Sequence, residues 1–130
     1  MYLRFAIHQR DHDSGRGLGI FQAASNLRDS GELEEWEWRT LWEITHWFDA
    51  HLEKPDRFTA SKPPYYRKQS KAISWFKDTA VEHIQHAREM AYILDRNGIA
   101  VTTLLAERVG YVVYEDEFQI VAEAFSDLPC

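Results

Sequence analysis

Residues 72–125 constrain the fold more than any other stretch, because nearly every element in them carries its own start or stop signal. Ala72–Lys77 reads as a strand, with Ile73 and Trp75 on one side and Phe76 on the other, the two-residue alternation of a pleated backbone. Thr79-Ala80-Val81-Glu82 has capping-box spacing and predicts a helix start. Ala80, Ile84, Ala87, Ala91 and Leu94 then recur at intervals of four and three, which places them on one helical face. Asn97-Gly98 closes that helix, since glycine takes the left-handed cap conformation without a Cβ penalty. Ile99–Glu107 follows as a strand. It is expected to run parallel to Ala72–Lys77, as strand–helix–strand units do. Arg108-Val109-Gly110 turns the chain, and Tyr111–Tyr114 and Phe118–Phe125 make a hairpin around Glu115-Asp116-Glu117.

The first half is read by the same rules. Tyr2–His8 alternates as a strand, with Leu3, Phe5 and Ile7 on one face. A polar, glycine-rich loop, Arg10–Gly19, leads into a short helix over Ile20–Asp29, whose Ile20, Ala24 and Leu27 share a face with Phe21 beside them. Ser30-Gly31 ends it, and Ser30 is placed to cap the next helix, Glu32–Glu53. That helix carries a Leu41, Ile44, Phe48 and Leu52 stripe and stops at Lys54-Pro55, because a residue before proline avoids helical geometry. Pro55–Ser70 is a long loop. The predicted order is β-α-α-β-α-β-β-β. It describes an α/β two-layer sandwich, a mixed sheet with helices packed on it, in a single domain spanning residues 1–130.

A chain of 130 residues is long enough to build a core without staples. Its single cysteine, Cys130, excludes an internal disulfide and fits a reducing, cytoplasmic setting. The apolar runs fall short of a membrane span, and Met1–Arg10 lacks the pattern of a signal peptide. A net charge of −6 argues against duplex nucleic acid as a partner. The charge is uneven: residues 32–53 are acidic, and many of the lysines and arginines fall within 54–77.

Two segments could hold an anion. In the glycine loop, Ser14, Gly15, Arg16 and Gly17 approach a helix start, where backbone N–H groups and a guanidinium suit phosphate. The Gly15-x-Gly17-x-Gly19 spacing matches neither the dinucleotide fingerprint nor a P-loop. In the basic segment, Tyr65 and Tyr66 can stack on a base while Arg67, Lys68 and Lys77 supply charge. The plain alternative for both is loop chemistry without a ligand.

The histidines do not make a metal centre by pattern. Glu43-Ile44-Thr45-His46 has the Glu-x-x-His spacing of di-iron bundles but lacks a second copy, and His83 with His86 lacks identifiable third and fourth ligands. Neither metal nor cofactor is expected. His12, Asp13 and Ser14 are neighbours in sequence without the strand–turn–helix elbow of a hydrolase nucleophile. Trp36, Trp38, Trp42 and Trp47 cannot all face one core stripe, so some of them are expected at an interface, in a homo-oligomer.

Ser14-Gly15-Arg16, Gly19–Ala24, Ile73–Lys77 and Gly110–Glu117 together resemble a family of small bacterial and phage-associated proteins without an established activity, and the resemblance covers most of the chain. It implies a bacterial or phage setting, and by analogy with small phage proteins that sequester nucleotide signals, a non-enzymatic binder of a small phosphorylated, nucleotide-like ligand. The alternatives are a protein-interaction or inhibitor module using the tryptophan-rich helix, and a small hydrolase or metalloenzyme.

Overall fold

Alternating apolar residues on the first strand give the sheet one face to bury, and three amphipathic helices cover it. A computed structural model describes residues 1–10, 17–53 and 72–123. Within them the elements are β1 (Tyr2–Arg10), β2 (Gly17–Gly19), α1 (Ile20–Asp29), α2 (Glu35–His51), β3 (Ala72–Lys77), α3 (Val81–Arg96), β4 (Thr102–Ala106), β5 (Tyr111–Glu115) and β6 (Gln119–Glu123). All six strands belong to one sheet, and the helices pack on it as the two-layer α/β reading expects.

The sheet runs β2-β1-β3-β6-β5, with β4 also paired to β1. Every pairing between described strands is antiparallel, whereas a mixed sheet was expected. The reason lies in β1. Leu3 pairs with Phe76 of β3 and with Leu105 of β4, so β1 lies between the two strands that flank α3. Both oppose β1 and therefore run the same way, as the sequence predicts, but they are not neighbours.

Leu3, Phe5 and Phe76 join Ile20, Leu27, Leu41, Ile44, Phe48, Met90, Ile93 and Leu94 in the main core. Burying one such side chain stabilises by about 1.5–3 kcal/mol relative to leaving it exposed. The α3 stripe is rotated from its expected position. Met90, Ile93 and His83 are buried and Ala91 is only half-buried, because the longer side chains reach the sheet. A second apolar cluster, with Ile73, Trp75, Val109, Ile120 and Ala122, lies on the other face, so β6 is buried on both sides.

Several local signals act differently from their prediction. Gly17–Gly19 forms β2, antiparallel to β1, and leads directly into α1, whose N-cap is Gly19, so part of the expected loop is a strand. Glu34, not Ser30, caps α2: its side chain and that of Glu37 form a reciprocal box, and the helix begins three residues later than expected. Ser30 instead bonds back to the Leu27 carbonyl at 2.6 Å. Ala80 rather than Thr79 sits at the cap of α3, which has no side-chain cap bond. Gly98 does close α3: its φ is 81°, and the Ile99 N–H reaches the Leu94 carbonyl at 3.0 Å. Trimmed by that closure, the next strand spans Thr102–Ala106 rather than Ile99–Glu107.

Candidate functional site

Helix α2 carries the features that α/β packing alone does not account for. Its buried stripe, Glu37, Leu41, Ile44 and Phe48, fixes which way the tryptophans face. At 100° per residue they divide into two flanks. Trp36 and Trp47 fall on the flank toward α3, where the Arg96 guanidinium lies 5.0 Å from the Trp36 ring and Trp47 stacks on His86 at 4.0 Å. The Trp36 indole N–H is also engaged, donating to Glu34 Oε2 at 2.7 Å. Trp38 and Trp42 fall on the opposite flank and are 44% and 42% exposed. Trp42 packs against His46 one turn later, the rings tilted by 33° with 3.8 Å between their centres, and neither Trp38 nor Trp42 has an indole hydrogen bond among the described residues. Trp38, Trp42 and His46, spaced four apart, thus form an aromatic ridge on a rigid helix.

The three histidines singled out by spacing have structural roles. His46 Nδ1 donates to the Trp42 carbonyl at 2.9 Å, and His86 Nδ1 to the Glu82 carbonyl at 2.8 Å. His83, buried between Trp47 and Phe118, uses Nε2 to donate to the His51 carbonyl at 2.8 Å and so ties α3 to the end of α2. Among the described residues, no group of three or more His, Cys, Asp or Glu is placed to hold a metal ion.

A cleft of about 1050 Å³ opens where the end of α2, the start of α3 and the β5–β6 turn meet. Trp47, Leu52, Ala80, His83 and Phe118 make its buried and half-buried floor. Its carboxylates among the described residues are Asp49, Glu53, Glu82, Asp116 and Glu117, and no described lysine or arginine lines it. Asp116 is held inward. Its oxygens accept from the Phe118 and Gln119 N–H groups at 2.9 and 3.0 Å, from the Tyr114 hydroxyl at 2.8 Å and from Gln119 Nε2 at 3.2 Å. Burial pushes its carboxyl upward, but these donors outweigh that and hold it below the usual carboxylate range.

Of the anion-binding candidates, Ser14, Gly15, Arg16, Tyr65, Tyr66, Arg67 and Lys68 lie outside the described residues. Gly17 pairs with Arg10 in the hairpin. Lys77 Nζ donates to Glu115 Oε2 at 2.7 Å, and that bond holds its ammonium above the ordinary lysine range. The register puts Lys77 and Glu115 on the sheet face of Trp75 and Ile120, away from the helices. The described residues therefore bring no two of the expected phosphate ligands together. Sequence spacing did not reveal the cleft, whose carboxylates come from three distant segments.

No family model, curated protein or solved structure matches the chain. Among the described residues, no helix is long and apolar enough to cross a membrane.

Proposed function

We propose that the protein is a non-enzymatic interaction module whose contact surface is the Trp38–Trp42–His46 ridge of α2, engaged by a second copy of the chain. The observation that supports this is the exposure of two tryptophans, side by side on one helical flank, with no indole hydrogen bond among the described residues. Tryptophan combines a large apolar face with one polar handle, and it is enriched among the residues that carry most of an interface's energy. Glu35, Arg39 and Asp49, all exposed, surround the ridge and supply the charged rim that interfaces carry. Residues on a helix hold their geometry before contact, which lowers the ordering cost of association.

Sedimentation velocity tests this reading. The wild-type chain should sediment as a dimer at micromolar concentration, and Trp38→Ala/Trp42→Ala as a monomer with an unchanged far-ultraviolet spectrum. A wild-type monomer across the accessible concentration range would overturn it.

A further inference from the structure

The two borders of the sheet are built differently. Leu3 of β1 pairs with Phe76 of β3 on one side and with Leu105 of β4 on the other. Among the described residues β4 pairs with β1 alone and β5 with β6 alone, so these two strands are the borders. A border strand presents unpaired N–H and C=O groups, and proteins blunt it with charge, proline or a bulge. β5 has such devices: its register shifts between Val112 and Tyr114, and it ends in Glu115, ion-paired with Lys77. β4 has none. Thr102–Ala106 carries no charge, proline or glycine, and its five residues pair with β1 in unbroken register. Thr102, Thr103 and Leu105 are exposed, Leu105 to 62%. A flat, uncharged border of this kind is a template for one more strand.

We propose that β4 is a docking edge for an extended segment of another polypeptide, which joins the sheet as an antiparallel strand. The main chain sets the class of occupant, because a row of outward N–H and C=O groups is matched by another extended strand. The side chains narrow it. Leu105 lies on the helix side of the sheet, as its partner Leu3 does, so a β-branched or aromatic residue belongs opposite it. Thr102 and Thr103 favour hydroxyl-bearing neighbours. Glu107, exposed one residue past β4 in a chain of net charge −6, favours lysine or arginine at the matching end. A second copy of the chain fits less well. In a two-fold antiparallel pairing centred on Thr103, Leu104 or Leu105, Glu107 meets Ile99, Val101 or Thr103, never a cation.

The test is amide hydrogen exchange by NMR on the full chain, with a lysine-flanked peptide of alternating threonine and valine as the probe. Alternate amides of Thr102–Ala106 point away from β1, and they should exchange about tenfold more slowly with peptide at about ten times its Kd. Leu105→Lys, at an exposed site compatible with folding, should weaken binding about two- to fivefold, the range of one cross-strand pair. Val112→Lys is the control. It makes the same change of charge at the other border, about 19 Å away across the strand spacings, and should leave affinity unchanged. Four results would each overturn the proposal. The first two are no protection of the β4 amides at millimolar peptide, and equal weakening by Val112→Lys. The third is equal binding of the same peptide N-methylated on alternate backbone nitrogens, which would place recognition in side chains alone. The fourth is protection of the β4 amides on concentrating Trp38→Ala/Trp42→Ala protein without peptide, which would assign the edge to a second copy.

Discussion

Replacing Glu37 probes how a charged residue came to occupy the buried stripe of α2. Its carboxylate is 4% exposed and serves three donors: the Glu34 N–H at 3.1 Å, Asn97 Nδ2 at 2.9 Å and Arg96 Nε at 3.4 Å. It therefore caps α2 and pins that helix to the end of α3. Glu37→Ala removes half of a capping box, a loss of about 1 kcal/mol. It also deprives a part-buried amide donor of its charged acceptor, at about 1–2 kcal/mol. Asn97 keeps its bond to the Ile93 carbonyl and exposed Arg96 turns to water, so the total stays near 2–3 kcal/mol. In a domain of this size that lowers Tm by roughly 10 °C.

The pH dependence has a definite sign. Burial pushes the Glu37 carboxyl upward, but the bonds from Asn97, the Glu34 N–H and Arg96 outweigh it and lower its pKa below the ordinary 4.5. A carboxylate lowered on folding stabilises fully above its unfolded pKa and loses that contribution as pH falls through the folded value. Urea unfolding of wild type and Glu37→Ala should thus show a gap at pH 7 that narrows below about pH 4. A gap under about 0.5 kcal/mol at neutral pH, the range of ordinary surface substitutions, would refute the reasoning, as would one that is unchanged in acid.

Other positions give further expectations. Leu41→Ala, at a site with no exposure, should cost about 2–5 kcal/mol in denaturant unfolding. Gly98→Ala meets open space but sits at φ 81°, so strain alone should cost about 1–2 kcal/mol, read from the urea midpoint. Asp116→Asn places an amide against several donors at the β5–β6 turn and should destabilise by about 1–3 kcal/mol, with faster amide exchange at Phe118 and Gln119.

The elements were largely legible because their signals are local. Glycine caps, proline stops and two- or four-residue periods are properties of neighbouring residues, and α1, β3, α3 and the final hairpin lie where those signals put them. Long-range placement was not legible. Nothing in the period of Tyr2–His8 says that it enters between β3 and β4, and Gly17–Gly19 is too short to show an alternation. The α3 stripe was misplaced because small alanines share its spacing with Met90 and Ile93, and only the sheet beneath decides which of them are buried. Glu37 hid in plain view: three residues after Glu34 it completes a box, but glutamate is an uncommon cap. The tryptophans were legible as too many for one stripe. Their division into an α3 flank and an open flank required knowing which side of α2 meets the core.

The claim that Trp38 and Trp42 form the contact surface is tested most directly by their indole N–H resonances in a dilution series. Both should shift and exchange more slowly with water as concentration rises, while those of Trp36 and Trp47, already engaged against α3, stay in place. Trp38 and Trp42 signals that remain fixed while the protein associates, or that move together with all the others, would contradict the account.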